Sequence, residues 1–303
     1  MKALFGLLLI VFVSATGLKA QVLDPELGPR AWQKENTEQR DAIVLTHIRE
    51  ADVMWSTRLW REIDLRQKDN HPLYFPLDSA VHGKRSFIQI LYDLYLNNET
   101  NFGPNGVKLY KSSEFEEVYT FEEVRSWILP GDTVPVVNTM TCEDSNQYVT
   151  KDWSEIKPLT TKVMLMEDWF IDKQRSVMDV RILGLGLKFQ KYTPKFTTVP
   201  ACFDATTFER LDPVIGVEAE IWIFFPQIRQ DLAVLECYKR QNDAARLSYD
   251  DIFLQRIFSS YIYKEENVYD RRINQYTSGL DALLEAERIK NKVFEEEQNL
   301  WHY

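Results

Sequence analysis

The chain has 303 residues, of which 45% are hydrophobic and 13% aromatic, and this composition excludes an intrinsically disordered protein. Its length allows one large hydrophobic core or two smaller ones. The formal net charge of −10 at pH 7 argues against nucleic acid or an anionic membrane surface as the main partner. A neutral or basic protein partner fits this charge better.

The first twenty residues predict a secretory signal peptide. Lys2 provides a basic start, an apolar run extends from Ala3 to about Val13, and the small residue Ala20 marks the expected cleavage site. The apolar run is shorter than the roughly 20 residues that span a bilayer, which argues against an uncleaved anchor. Cleavage would remove Lys2 and Lys19 and so change the formal charge from −10 to −12. No cysteine lies near this site, so we do not expect N-terminal lipidation.

After the signal peptide at residues 1–20, composition divides the chain into five segments. Residues 21–40 contain Pro25, Gly28 and Pro29 without a sustained apolar period, so we predict an extended N-terminal arm. The rest predicts an α+β fold in which each of two halves is a β-hairpin or small sheet with packed helices. The first half, a polar linker, the second half and a C-terminal helical segment occupy residues 41–141, 142–158, 159–265 and 266–303.

A stretch rich in tryptophan and arginine, Asp52–Arg66, dominates the first half. Leu59, Ile63 and Leu65 alternate with charged residues, as they do in a half-buried strand. Trp55, Leu59 and Ile63 are also four residues apart, so the period alone permits a helix. A second, looser version of the stretch helps to decide between the two structures.

This second version is Asp168–Arg181. Both versions begin with an aspartate and an aromatic cluster, and both close on an apolar-Asp-apolar-Arg tetrad, Ile63–Arg66 in one and Met178–Arg181 in the other. The polar centre of the second version, Asp172–Arg175, is typical of a hairpin turn. We therefore predict a β-hairpin or paired strands for both stretches.

Further likenesses connect the two halves. Leu73–Pro76 resembles Ile223–Pro226, and Thr120–Val124 resembles Ser248–Ile252. In the second pair, a hydroxyl residue followed three places later by an acid predicts a helix N-cap. A duplicated unit would need an insert at about residues 182–216, which are rich in glycine and proline. Chance recurrence of strand and cap patterns explains the likeness equally well.

Apolar periodicity predicts the remaining elements, which are helices at residues 84–97, 121–128, 228–238, 249–263 and 278–300 and a strand at residues 217–225. In the last helix, six apolar residues are expected on one broad face: Leu280, Leu283, Leu284, Ile289, Val293 and Phe294. This face either packs on its own domain, which is the simpler interpretation, or contacts a neighbouring subunit.

The sequence carries no pattern typical of catalysis or metal binding. Its histidines and cysteines fall in no metal-ligand spacing: His47, His71, His82, His302, Cys142, Cys202 and Cys237. The cysteines allow one intrachain disulfide or three buried thiols. Gly184 and Gly186 lack the further residues of a nucleotide-binding loop and indicate a bulge or a close backbone approach. We therefore predict no catalytic residue, no cofactor and no metal.

Aromatic residues beside arginine are the most distinctive feature of the two stretches. Trp and Arg combine large contact area with directional hydrogen bonds and are enriched at protein interfaces. The interface candidates are Trp55, Arg58, Trp60, Arg61, Trp169, Phe170 and Arg175. Alternatively, the tryptophans belong to the core and the arginines pair with acids of their own domain, namely Glu62, Asp64, Asp172 or Asp179.

Residues 48–68, followed by Pro72–Pro76, resemble the GldN family, also called PorN, and Glu167–Arg181 resembles a second block of that family. The resemblance implies a non-enzymatic periplasmic component of the type IX secretion and gliding-motility machinery. It also implies rings formed with an outer-membrane lipoprotein, GldK or PorK, through which the chain would associate with the outer membrane. The periplasmic part of the motor protein GldM or PorM is a further implied partner, as is a second copy of the chain within the ring.

Two other functions fit the residues when the resemblance is set aside. One is a periplasmic module that binds peptidoglycan or peptide, and the other is a hydrolase whose site has no recognisable motif. Ring formation with the lipoprotein separates the assembly function from both, and cleavage of cell wall or peptide by the purified chain would identify the hydrolase.

Overall fold

A six-stranded antiparallel sheet forms the centre of the fold, with strand order β2-β7-β6-β5-β1-β8. The computed structural model describes residues 40–77, 80, 83–96, 106–121, 123–124, 133–137, 144–150, 162–198, 206–239 and 246–299. Side chains are described throughout these ranges except at 133–137, 144–150, 189–198 and 206–219. Within them, residues from Asp41 onward belong to one compact unit.

The strands are β1 Val53–Asp64, β2 Leu109–Tyr110, β3 Thr133–Val137, β4 Asp144–Thr150, β5 Lys162–Asp172, β6 Val177–Thr198, β7 Thr206–Phe224 and β8 Tyr261–Glu265. Strands β3 and β4 pair with each other as a separate two-stranded sheet. The helices are α1 His71–Tyr74, α2 Phe87–Leu91, α3 Phe225–Val234, α4 Tyr249–Leu254 and α5 Leu280–Asn299. A π-helical turn, Tyr92–Leu96, continues α2, and 3-10 turns occupy Glu50–Asp52, Lys68–Asn70 and Ile273–Gln275.

The predicted α+β class is confirmed, but both predicted halves contribute to the same sheet. Strand β1, from the first half, lies between β5 and β8, from the second. Residues 182–216, predicted as an insert, fall largely within β6 and β7, and residues 144–150 of the predicted linker form β4. The sheet therefore joins the two halves through β1 and β2, where the sequence suggested one small sheet for each.

The two tryptophan-containing stretches lie side by side in this sheet. Strand β1 pairs antiparallel with β5, so that Arg58 lies opposite Asp168 and Trp60 opposite Met166. The prediction of paired strands is confirmed for both stretches, and the hairpin is confirmed for the second, in which β5 turns into β6. A hairpin within Asp52–Arg66 was wrong, because this stretch runs on as the single strand β1.

One face of the sheet is covered by helices. Alternate residues of the strands, such as Ile63, Leu165 and Leu185, are fully buried there. They belong to one apolar cluster with Phe87 of α2 and Phe253 of α4, whose rings lie 5.3 Å apart between centroids. Fully burying each such side chain stabilises the fold by roughly 1.5–3 kcal/mol. This cluster is the main core.

The opposite face of the sheet carries a smaller core of Trp60, Met164, Met166 and Trp222. Glycines make room for these large side chains. A Cβ atom at Gly184 would lie 2.9 Å from the ring of Phe115, and one at Gly186 would lie 2.9 Å from the Met164 Cε atom. The β5–β6 register also shifts beside Gly184, so both the predicted close approach and the predicted bulge are confirmed.

The structure confirms some of the predicted helices and not others. Those at residues 84–97, 228–238 and 278–300 are confirmed with small boundary changes. The helix predicted at 249–263 was wrong beyond Leu254, because the chain turns there and residues 261–263 enter β8. The predicted helix at 121–128 lies mostly outside the described residues. None of the helices in the described part of the chain combines the length and apolarity that a bilayer crossing requires.

The N-caps predicted at Thr120 and Ser248 are confirmed. At α4, the Asp251 amide donates to the Ser248 hydroxyl over 3.1 Å, and the Ser248 amide donates to the Asp251 carboxylate over 3.0 Å. Thr120 and Glu123 exchange the same pair of hydrogen bonds over 3.3 and 2.9 Å. Each arrangement satisfies amide groups that a helix start otherwise leaves without partners.

Candidate interaction surface

Arg58 and Asp168 form a forked ion pair across the two central strands. The Arg58 Nε and Nη2 atoms donate to the two Asp168 oxygens over 2.6 and 3.0 Å. The pKa of Arg58 is raised by this hydrogen bonding, against the smaller opposing effect of burial. Each side chain stays one-third exposed. The arginine of one stretch is therefore paired by the aspartate that begins the other.

A more deeply buried network lies on the helix-covered face, around Glu167. This carboxylate is fully buried and accepts from Arg256 Nη1 and Nη2 over 2.9 and 3.0 Å. It also accepts from the Trp169 indole N–H over 3.0 Å, and the Arg256 guanidinium lies 5.1 Å from the Trp169 ring. A buried carboxylate requires such partners, because desolvation otherwise disfavours its charge strongly.

Arg61 lies close to the same network. Its Nε and Nη2 atoms donate to the hydroxyl and the carbonyl oxygen of Ser260 over 2.9 and 3.3 Å. Burial lowers the pKa of Arg61, while the nearby Glu167 carboxylate opposes this effect. The guanidinium thus makes these hydrogen bonds within its own chain.

Arg256 reaches Glu167 from an unusual backbone position. It follows α4 with a φ of 55°, in the left-handed region that favours glycine. The Ile257 amide donates to the Ile252 carbonyl over 2.9 Å and the Arg256 amide to the Phe253 carbonyl over 3.3 Å, which is the Schellman ending of a helix. An arginine here carries strain that a glycine would not, and the ion pair with Glu167 offsets it.

The remaining interface candidates divide by exposure. Trp60 and Phe170 are buried, and Trp60 packs in the smaller core beneath the Lys264 ammonium, which lies 4.1 Å from its ring. Among the described residues, no hydrogen-bond partner faces the Trp60 indole N–H. Trp55 is half-buried against the cluster that holds α5. Arg175 is exposed in the β5–β6 turn.

Arg175 is nevertheless engaged within its own hairpin. It donates to Asp172 over 2.6 Å and to Asp179 over 3.2 Å, as the alternative based on acids of the same domain predicts. Across the seven candidates, the structure places the polar groups of Arg58 and Arg61 against partners in a neighbouring strand or loop, and the Trp169 indole against Glu167 of its own strand. An interface role for the exposed parts of these residues stays a prediction.

The clearest exposed apolar surface lies on α5. Ala286, Ile289 and Val293 are buried against β1 and β8, in a cluster with Leu59 and Ile262. The other apolar residues of the helix remain exposed, with relative exposures of 70% for Leu280, 60% for Leu283, 59% for Leu284 and 49% for Phe294. We name these four residues the α5 strip.

The prediction that the six large apolar residues share one face of this helix was therefore wrong. Successive residues advance by about 100° around an α-helix, so Leu284 and Ile289 lie about 140° apart. The six positions form two stripes, of which the one with Ile289 and Val293 is docked and the α5 strip is not. Sequence reasoning found the residues but merged the two stripes.

Charged residues surround the α5 strip. Arg288 pairs with Glu285 at 2.6 Å, Lys290 with Glu287 at 3.6 Å, and Lys292 reaches Glu265 of β8 at 2.8 Å. Hydrogen bonding by Arg288 lowers the pKa of Glu285. The acids left without an ion pair to any described residue lie at the two ends of the helix, and they are Asp281, Glu295, Glu296 and Glu297.

Sequence reasoning missed a second exposed feature, the loop between β8 and α5. The Asn267 side chain makes four hydrogen bonds, donating to the carbonyls of Glu265 and Arg271 and accepting from the amides of Tyr269 and Arg271 over 2.8–3.2 Å. These hydrogen bonds fix the conformation of the loop, in which Val268 and Tyr269 are exposed to solvent. Asn is typical of turns, but the position of Asn267 in the sequence did not indicate that its side chain makes these four hydrogen bonds.

Two cavities in the described part of the chain are large enough to admit a small molecule. The larger, of about 600 Å³, is lined mainly by apolar side chains including Leu247, Ile257 and Phe258. The smaller, of about 230 Å³, borders Glu62, which accepts from the Tyr261 hydroxyl and pairs with Lys162 at 2.6 Å. These polar groups satisfy one another and form no nucleophile–base pair.

The titratable groups in the described part of the chain do not assemble a metal site, since no three of its His, Cys, Asp and Glu side chains cluster suitably. Cys237 is a buried free thiol, and burial raises its pKa to about 12, so it is a poor nucleophile. Cys142, Cys202, His82 and His302 lie outside the described residues.

Comparison with known proteins identifies one family. The sequence profile of the family described as "Gliding motility associated protein GldN" matches residues 48–302. The matched range begins just before β1 and extends beyond α5, so it includes the whole six-stranded sheet and the α5 strip. A search of curated proteins found no match to the chain.

Proposed function

The chain belongs to the GldN family of gliding-motility associated proteins, and on this premise we propose that it is a non-enzymatic structural component of the type IX secretion and gliding machinery. In this proposal it assembles with an outer-membrane lipoprotein, GldK or PorK, into periplasmic rings. The family match over residues 48–302 is the observation that carries the proposal. The chain would be periplasmic and held at the outer membrane by the lipoprotein.

The chemistry of the described residues supports a structural role. Arg58 of one tryptophan-containing stretch is paired with Asp168 of the other, and the adjacent Glu167 is paired with Arg256. Such pairs fix the register of strands and loops, as buried polar groups do in other proteins. They offer no free general base beside a nucleophile.

The exposed α5 strip supports assembly with other proteins. Leu280, Leu283 and Leu284 are large apolar side chains that keep more than half of their surface in solvent. Contiguous exposed apolar residues with a polar surround are typical of protein interaction sites. The proposed partners are the lipoprotein, the periplasmic part of the motor protein GldM or PorM, and further copies of the chain within the ring.

Co-expression tests this proposal. The chain without residues 1–20 is produced together with the candidate lipoprotein, purified by a tag on the lipoprotein, and inspected by electron microscopy. We expect co-purification and ring-shaped particles. Lipoprotein produced alone provides the control. A chain that elutes as a monomer under every condition, with no co-purified lipoprotein, would contradict the proposal.

A periplasmic peptide-binding module is the second candidate, and the cavity of about 600 Å³ favours it. Leu247, Ile257 and Phe258 provide an apolar wall, while Asp69 and Lys239 place opposite charges on the lining. A cavity of this volume and lining suits a short apolar peptide segment. Sedimentation of the chain with purified peptidoglycan, and calorimetry with short peptides, would detect this function, and ring formation does not depend on it.

A further inference from the structure

The α5 strip has the dimensions of a helix-binding surface. Leu280, Leu283 and Leu284 occupy neighbouring positions on one side of the helix. Phe294 lies on the same side further along, and the polar residues Glu287 and Asn291 lie between it and the leucines. At a rise of about 1.5 Å per residue, the strip is about 21 Å long. A narrow, convex row of large side chains of this length fits the groove between the side-chain ridges of another helix.

The helix that carries the strip is held in place by its other side. Ile289 and Val293 are buried in the cluster with Leu59, and Lys292 pairs with Glu265 of β8. The Tyr276 hydroxyl also donates to Glu285 over 3.4 Å. A partner would therefore meet a preformed surface, which lowers the entropy lost on binding.

The charges beside the strip select the kind of partner. All three basic residues of α5 already have acidic partners, in Glu285, Glu287 and Glu265. Among the described residues, the acids of α5 without an ion pair are Asp281 and the run Glu295–Glu297, at the two ends of the helix. At about 100° per residue, Glu295 and Glu297 lie on the two sides of Phe294, and Glu296 faces away from the strip. A partner that covers the apolar side chains and carries lysine or arginine at both ends of its own apolar row complements this pattern.

A second copy of the chain complements it poorly. An antiparallel pair that sets Leu280 of one copy on Phe294 of the other brings Asp281 close to the Glu295–Glu297 run. A parallel pair sets each acidic end against the same acidic end. Both arrangements place like charges together at the rim of the contact, which disfavours self-association through this surface.

From these observations we propose that the α5 strip binds a basic amphipathic helix of a partner protein. The apolar row of that helix covers Leu280, Leu283, Leu284 and Phe294, and its basic flanks meet the acids at the two ends of α5. This inference rests on the proposed function, because it specifies the chemistry of one partner in the assembly.

Photo-crosslinking in the producing cells tests the inference on the full chain. The variant Leu284→p-benzoylphenylalanine places the reactive group in the strip, and Lys173→p-benzoylphenylalanine, in the exposed β5–β6 turn, is the matched control. Mass spectrometry of the crosslinked peptide identifies the contact. We expect a segment of another protein with apolar residues at helical spacing and more Lys and Arg than Asp and Glu.

Charge reversal provides the second measurement. Glu295→Lys/Glu296→Lys/Glu297→Lys, combined with the Leu284 crosslinker, should lower the crosslink yield by about fivefold or more, because like charges then meet at one end of the contact. Lysines at the C-terminal end of a helix suit its dipole, so the variant should keep the wild-type thermal unfolding curve. An unchanged yield would overturn the inference.

Other crosslinking results would overturn it as well. A crosslink to a second copy of the chain, to lipid or to an acidic or non-helical segment contradicts the proposed occupant, and so does the absence of any crosslink. Lipoprotein co-purification is scored in the same strains. Rings without a crosslink to a basic helix would overturn this inference alone, whereas loss of co-purification from the wild-type chain would overturn the proposed function.

Discussion

Strands β1 and β5 and helix α5 have the reverse of the roles that their compositions suggest. The strands contain the Trp and Arg residues typical of interfaces, yet Arg58 and Arg61 make their hydrogen bonds inside the chain. The helix contains leucines typical of a core, yet Leu280 and Leu284 are exposed. Composition therefore identifies residues able to make strong contacts, while the neighbouring elements decide whether those contacts are internal.

Among the variants described below, Glu167→Ala should lower the free energy of unfolding most, because it removes a fully buried carboxylate. Glu167→Ala leaves the Arg256 guanidinium and the Trp169 indole N–H without their shared acceptor in a buried site. We expect a loss of about 3–5 kcal/mol in the free energy of unfolding, as is usual when one partner of a buried ion pair is removed. Urea denaturation measures it. Arg175→Ala, in the exposed turn, is the control and should cost less than about 1 kcal/mol.

A loss below about 1 kcal/mol for Glu167→Ala would contradict a stabilising role of the internal contacts, since the network would then be no stronger than a surface ion pair. The free energy of unfolding of Glu167→Gln should lie between those of Glu167→Ala and the wild type, because the amide still offers one acceptor oxygen to the arginine or the indole.

The two stripes of α5 should respond differently to the same substitution. Ile289→Ala removes a buried side chain from the cluster with Leu59 and should lower the free energy of unfolding by about 2–4 kcal/mol. Leu284→Ala removes an exposed side chain and should change it by less than about 0.5 kcal/mol. Thermal or urea unfolding of the two variants measures the difference. Equal losses would mean that the α5 strip is part of the core in solution.

The fold class and the paired strands could be predicted because alternation along β1 and the turn at Asp172–Arg175 are local patterns. The internal partners could not. Glu167 and Arg256 are 89 residues apart, and their contact depends on the left-handed ending of α4. The likeness between the two stretches suggested a duplication. In the fold, they are neighbouring strands with the same alternation across the sheet.

The two stripes of α5 illustrate another limit of sequence reasoning. Periodicity identified all six apolar residues, but only the position of β8 and the 3-10 turn at Ile273–Gln275 determines which stripe is docked. A helix with more apolar positions than one docked face requires therefore indicates two contacts. This rule could have identified the α5 strip before the fold was known.

Substitutions at Arg256 can separate backbone strain from the ion pair. Both Arg256→Ala and Arg256→Gly remove the contact with Glu167, but glycine adopts a φ of 55° without the penalty that alanine carries. We expect the glycine variant to be the more stable of the two by about 1 kcal/mol and both to be less stable than the wild type. A glycine variant as stable as the wild type would show that the ion pair does no more than offset the strain of the left-handed backbone.

The smallest effect is expected at the exposed pair Glu285–Arg288 beside the α5 strip, which contrasts with the buried pair Glu167–Arg256. Hydrogen bonding from Arg288 lowers the pKa of Glu285 below its ordinary value of 4.5, so the folded state favours the charged carboxylate. This stabilisation is present above pH 4.5 and disappears as the pH falls through the lowered pKa.

Since Arg288 is largely exposed, Glu285→Gln should lower stability at neutral pH by only about 0.3–0.5 kcal/mol. Unfolding curves of both proteins between neutral pH and about pH 3 test this, because the difference should shrink as the pH falls below 4.5. A difference that instead grew toward acidic pH would mean that Glu285 stabilises the fold in its protonated form, contrary to the geometry of the pair.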